Sequence, residues 1–229
     1  MIELFFFPSP NGLKVLIFLE ERGLDYTLTP IDIAAGAQFA PDYLTISPNN
    51  KVPAIRDHAG PDGPIDLFES GAILEYLADK SGAFLPAEPR ARLAVKQWLY
   101  WQVAGLGPMA GQAHHFRAFA PEQVPYAIRR YTDEVNRLYG VLDRQLDGKD
   151  YIAGEYSIAD MATWPWVAPY ERQGQDLADF PNIARWFERV GQRPAVITAA
   201  ALGQEKLLSP DEYRVLLNQT SDTANQFKR

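Results

Sequence analysis

No cysteine occurs among the 229 residues. Its absence excludes disulfide bonds, cysteine-ligated zinc and any thiol nucleophile of the chain's own. If sulfur chemistry happens here, the sulfur arrives on a ligand. Apolar runs of the roughly 18 residues needed to span a bilayer are also missing. The opening Met1-Ile2-Glu3-Leu4-Phe5-Phe6-Phe7-Pro8 lacks the basic leader and small-residue cleavage site of a signal peptide. The expected location is therefore the cytoplasm, without a membrane partner. Positive charge is in deficit: the formal net charge of −7 argues against nucleic acid as the main partner. Histidine is scarce, and His114 and His115 are adjacent. On a helix they point about 100° apart, with no carboxylate at ligand spacing, so no metal is expected.

What is present reads as two folded layers. Hydrophobic residues at 47% and charged residues at 22% are ordinary for a globular chain. The apolar opening suits a buried strand, broken by Pro8-Ser9-Pro10-Asn11-Gly12. A helix is expected over 13–22, with Val15, Phe18 and Leu19 on its apolar face and Gly23 as its stop. A second strand over 24–33 completes a parallel βαβ unit. After a polar stretch with a short helix near 41–44, strands are expected over 52–56 and 65–68. The turn cluster at 60–64 makes these two an antiparallel hairpin. A helix bearing Ile73, Leu74 and Leu77 follows.

This β-α-β-α-β-β-α order predicts an α+β chain with a thioredoxin-like N-terminal domain over 1–80. Residues 81–89, rich in Gly and Pro, read as a linker to an all-α domain over 90–229. There Ile128, Tyr131, Val135, Leu138 and Leu142 recur at steps of three and four, giving one apolar helix face. Gly105, Gly107 and Pro108 predict a kink. Ser157-Ile158-Ala159-Asp160 is a capping-box signature, with Tyr156 and Met161 placed for a hydrophobic staple, and Asp160 serves backbone N–H groups there. Ser209-Pro210-Asp211-Glu212 is a second helix-start signal, and the last ten residues are polar and expected to fray.

Three places carry candidate chemistry. At the first strand–helix junction, Ser9 and Asn11 stand where N–H groups and the helix dipole favour an anion. A ligand thiolate qualifies, because one unit of thiol pKa depression is worth about 1.4 kcal/mol. The same residues also suit a plain helix cap. At Val52-Pro53 a cis bond would free the backbone of Val52 to pair with a peptide-like ligand. X-Pro bonds are cis only about one time in twenty, so local sequence favours trans. At Glu69-Ser70 a carboxylate and a hydroxyl suit the ammonium and carboxylate of an α-amino acid end group, or again a helix cap. In a thioredoxin-like layer all three places share one sheet edge.

Ser47-Pro48-Asn49-Asn50-Lys51-Val52-Pro53-Ala54-Ile55, Leu67-Phe68-Glu69-Ser70-Gly71-Ala72-Ile73 and Ser157-Ile158-Ala159-Asp160 together resemble the glutathione transferases. Pro8-Ser9-Pro10-Asn11-Gly12, Leu106-Gly107-Pro108-Met109 and Pro125-Tyr126-Ala127-Ile128 look more narrowly like the bacterial Nu class. The resemblance implies that Asn11, with Ser9 nearby, faces the glutathione sulfur. Gln38 and Lys51 would contact the glycyl end, Val52 the cysteinyl backbone beside a cis Pro53, and Glu69 and Ser70 the γ-glutamyl end. Arg130 would reach into the partner subunit's site of a homodimer, although its spacing equally suits an ion pair with Glu134. Position 9 is serine where that class usually has threonine, and the first loop lacks the catalytic tyrosine of many animal classes.

The implied activity is reduction of small disulfides, with organic hydroperoxides as further substrates, using two glutathiones or one glutathione disulfide per subunit. Conjugation of electrophiles in an aromatic cleft near Trp98, Trp101, Phe116 and Phe119 is one alternative, although such aromatics also suit core positions. A non-catalytic glutathione-binding regulator is another.

Overall fold

A computed structural model describes residues 1–204 of the chain; the Ser209 helix-start signal and the polar tail lie outside them. Strand β1 (Ile2–Phe6) is followed by helix α1 (Pro10–Arg22), β2 (Tyr26–Pro30) and the short α2 (Pro41–Ile46). Then come β3 (Ala54–Gly60), β4 (Gly63–Phe68) and α3 (Ser70–Ser81). The four strands form one sheet in the order β2-β1-β3-β4. As expected, β1 and β2 run parallel and β3 and β4 antiparallel. This is the thioredoxin-like layer.

Local chemistry sets several boundaries differently from the sequence pattern. Helix α1 starts at Pro10 rather than 13, because Ser9 is its N-cap and proline suits the first turn. It ends as expected at Gly23, in the left-handed region at φ 62. Its burial is broader than one face: residues 14 to 19 are all buried, because α1 packs against α3, α7 and α9. Strand β2 is shorter than 24–33, being an edge strand paired over five residues with β1. Strand β3 begins at Ala54, after the Val52–Pro53 bond, and runs to Gly60, which pairs with Gly63 across Pro61 and Asp62.

Beyond the linker, helix α4 (Pro89–Trp101) leads through a π-helical turn at Gln102–Leu106 into α5 (Gly107–His114). Pro108 stands in the first turn of α5, directly after that π-helical turn. Helix α6 (Pro125–Gln145) buries Val135, Leu138, Tyr139 and Leu142. Helices α7 (Ile158–Val167), α8 (Pro181–Gly191) and α9 (Pro194–Gln204) complete the described chain. The capping box at Ser157 and Asp160 is formed. Tyr156 makes ring contacts with Phe84 and Tyr151. One apolar cluster runs from β1 and α1 through α3 into the helical part, so the two layers share a core. A smaller cluster of Phe5, Ile31, Tyr43, Ile46 and Ala54 holds α2 against the sheet beside the cleft described next. Among the described residues no helix is long and apolar enough to cross a membrane.

Candidate functional site

The first turn of α1, the loop before β3 and the start of α3 meet at the carboxyl ends of β1 and β4. They enclose a cleft of about 270 Å³. Six of the residues expected to bind ligand line it: Asn11, Lys51, Val52, Pro53, Glu69 and Ser70. Ser47, Asn49 and Phe68 complete its wall. The Val52–Pro53 bond is cis, which local sequence alone did not favour. The carbonyl of Lys51 is held by the Tyr43 hydroxyl at 2.7 Å and the Ser47 hydroxyl at 2.9 Å. Val52 makes no backbone hydrogen bond among the described residues, so its polar backbone groups await a partner.

At the start of α3, Glu69 sits at φ 69, a conformation that costs a non-glycine residue about 1–3 kcal/mol and recurs at ligand clamps. The Asn49 amide approaches its carboxylate at 3.5 Å. Behind the neighbouring Ser70 lies Lys14, a fully buried lysine. Its ammonium donates to the Ser70 hydroxyl oxygen at 3.4 Å and to Gln102 Oε1 at 2.5 Å. With one lone pair of Ser70 taken, the hydroxyl hydrogen remains for an acceptor in the cleft. Burial pulls the Lys14 pKa down to about 7, partly opposed by the charge of Glu69.

The two candidates at the α1 start have separate situations. Ser9 Oγ accepts from the Gly12 N–H at 3.2 Å as helix cap, and Ser9 is not among the residues lining the cleft. Asn11 does line it, and its carbonyl oxygen accepts from the indole N–H of Trp166 at 2.9 Å. The Asn11 amide hydrogens have no partner among the described residues.

Besides Ser9, two further expected binding residues stand apart from the cleft wall, Gln38 and Arg130. Gln38 is buried, donates to the Ile33 carbonyl at 3.3 Å and leaves its own Oε1 without a partner. Arg130 is exposed on α6. Its suggested ion pair with Glu134 does not form, because Arg137 takes that carboxylate at 2.7 Å.

The aromatic residues pack on one another: Trp98 edge-on against Trp101, and Phe116 flat against Tyr131. None of Trp98, Trp101, Phe116 and Phe119 lines the cleft. His114 is half-buried, and burial, with the charges of Arg172 and His115, pushes its pKa down to about 4. Among the described residues no group of three or more histidine and carboxylate side chains is placed to hold a metal ion.

Sequence reasoning missed Lys14, Gln102 and Trp166. Lys14 did leave a signal: it is a lone charge within Leu13-Lys14-Val15-Leu16-Ile17-Phe18-Leu19, three residues after Asn11 and so on the same helix face. Gln102 and Trp166 left none, because their partners are remote in sequence.

Comparison with known proteins bears on the family and the fold. Residues 8–80 match the glutathione S-transferase N-terminal domain, and residues 106–194 match the glutathione S-transferase C-terminal domain. The disulfide-bond oxidoreductase YfcG of Escherichia coli K12 is 54% identical over 212 residues, covering 90% of this chain and 99% of that protein. A glutathione transferase family member from Pseudomonas fluorescens Pf-5, solved with two glutathione bound, superimposes with a TM-score of 0.83 at 45% identity. The match covers 87% of this chain and 92% of that one. A glutathione transferase from Pseudomonas putida, solved with one glutathione disulfide bound per subunit, gives 0.83 at 42% identity, with coverage of 87% and 90%.

Proposed function

The chain belongs to the glutathione transferase family, and from that premise we propose that it is a glutathione-dependent disulfide reductase. The observation that carries the reading is a cleft whose donors and acceptors suit a γ-glutamyl peptide, in a chain with no sulfhydryl of its own. Ser70 and the Lys14 charge behind it suit the γ-glutamyl carboxylate, and Glu69 suits the adjacent ammonium. The unpaired backbone of Val52 suits the cysteinyl peptide groups. Lys51, at the cleft wall, is assigned to the glycyl carboxylate, with Gln38 assigned to the same end of the ligand.

Asn11 is the thiol-orienting residue in this reading. Donors aimed at the sulfur stabilise its anion over the neutral thiol. Ser9, already accepting as the helix cap, keeps a hydroxyl hydrogen for a secondary role. When bound, glutathione supplies a thiolate that opens a small disulfide, and a second glutathione resolves the mixed disulfide, releasing two thiols and glutathione disulfide. Room for two glutathionyl units per subunit is supported by the relative solved with one glutathione disulfide bound per subunit. Organic hydroperoxides are further substrates under the same reading, since they too are reduced by a thiolate. The homodimer is supported by exposed Leu93 and Tyr100 on α4 and Tyr126 on α6, with Arg130 one helical turn from Tyr126 and free to reach a partner's cleft.

Reduction of 2-hydroxyethyl disulfide by glutathione, coupled to glutathione reductase, tests the proposal. A rate well above the enzyme-free blank is expected, together with a weaker rate on chloronitrobenzene acceptors. A disulfide rate equal to the blank would refute it.

A further inference from the structure

We infer that Trp166 is a positioning residue for the thiol-directed amide: by holding the carbonyl oxygen of Asn11, it turns the Asn11 amide hydrogens toward the cleft. The inference rests on the reading of Asn11 as the residue that faces the sulfur, and extends it to a residue of the helical domain.

An indole N–H donates and never accepts. The Asn11 atom 2.9 Å from Trp166 Nε1 is accordingly the carbonyl oxygen. Rotating the amide by half a turn would set two donors against each other and leave both unpaired, which is costly. The amide is planar, so engaging Oδ1 on one side fixes the amino group on the other. With one lone pair of Oδ1 engaged by the indole, the amino group and its two N–H donors are the part of the amide left without a partner at the cleft that Asn11 lines. That matters for a thiol: facing Oδ1 it would be held as the neutral donor, whereas facing N–H groups it is favoured as the anion.

Trp166 is itself held in place. It belongs to α7, and its indole lies on α5 at two glycines. A Cβ built on Gly111 would stand 3.4 Å from Cη2, and one on Gly107 3.5 Å from Cε2 and 2.9 Å from Gln102 Nε2, so at both glycines the indole packs directly on the helix backbone. The carbonyl of Trp166 accepts from Gln173 Nε2 at 2.7 Å. Lys14, Lys51 and Glu69 are the charged groups around the cleft, and none contacts the indole through a hydrogen bond. Removing the indole N–H therefore changes the amide's orientation and leaves those charges in place.

The test follows the bound glutathione thiolate by ultraviolet absorbance as pH is varied, in the unaltered protein, Trp166→Phe, Asn11→Ala and the double variant. Trp166→Phe is expected to raise the bound thiol pKa by about half to one unit, a three- to tenfold loss of thiolate. Disulfide reduction at neutral pH should fall by a similar factor. Affinity for S-methylglutathione, which has no thiol to titrate, should stay within about twofold. Adding Trp166→Phe to Asn11→Ala should cost nothing further, because the tryptophan acts through the amide. An unchanged thiol titration in Trp166→Phe, or additive losses in the double variant, would overturn the inference. Asn11→Asp keeps an acceptor for the indole and deletes the donors. Its bound thiol must titrate at least as high as in Asn11→Ala; a normal titration there overturns the inference even if Trp166→Phe does not fold. If the unaltered protein's bound thiol titrates like free glutathione, the parent reading of Asn11 fails, and this inference with it.

Discussion

Two helix starts in this chain are built from similar residues and put to opposite uses. At α7, the Asp160 carboxylate is fully buried and accepts from four donors: Ile152 N–H, Ser157 N–H, Ser157 hydroxyl and Trp186 indole N–H. Every lone pair facing a donor is used by the chain itself. At α1, Ser9 likewise caps the helix, but Asn11 keeps its amide hydrogens unpaired, and Val52 and Ser70 across the cleft keep donors unpaired too. A saturated helix start can only hold the fold together. An unsaturated one at the edge of a cleft has hydrogen-bonding capacity left for a ligand.

The comparison predicts that damage at the two starts will read out differently. Asp160→Ala strands several buried donors and should cost about 3–5 kcal/mol of stability. Urea unfolding should show this, with the glutathione affinity of the remaining folded protein unchanged. A loss below about 1 kcal/mol would break the contrast. Asn11→Ala should do the reverse, lowering disulfide-reduction kcat/KM by about a hundredfold while costing only about 1 kcal/mol of stability for the half-buried Trp166 N–H left without its acceptor.

Lys14 lies between the two extremes, being buried like Asp160 but behind the cleft. Its amine titrates near 10.5 when unfolded and near 7 when folded. Between those values the unfolded chain holds the extra proton, so this residue makes stability rise with pH by about 1 kcal/mol per unit, and the gain is lost as pH falls to about 7. Lys14→Met should abolish that slope in unfolding titrations. Glutathione affinity should weaken as pH rises above about 7 in the unaltered protein, as the ammonium behind Ser70 is lost, and Lys14→Met should bind weakly throughout. The smallest effect is expected for Ser9→Ala, which removes the α1 cap at a cost of about 1 kcal/mol. If its disulfide-reduction rate also falls as far as that of Asn11→Ala, the serine and not the asparagine leads the chemistry.

Much of this arrangement was legible before any coordinates. The strand and helix order, the Gly23 stop and the capping box at Ser157 follow from local signals that act over three or four residues. The cleft's lining at Asn11, Lys51, Val52, Pro53, Glu69 and Ser70 was reached through motif resemblance. Helix α1 shows where periodicity stops helping. One apolar face was visible in Val15, Phe18 and Leu19, yet Leu16 and Ile17 are buried as well, because three helices surround α1.

By itself, the amino-acid sequence determined the elements, their order along the chain and the lack of any sulfhydryl of its own. Those properties depend on neighbours a few bonds away, or on a residue type that is simply missing. Only the tertiary structure decided that the Val52–Pro53 bond is cis, that Lys14 is stripped of water behind Ser70, and that Asn11 is oriented from 155 residues away by Trp166. Each of these is set by groups that folding brings together from distant parts of the chain, and no local preference encodes such a meeting.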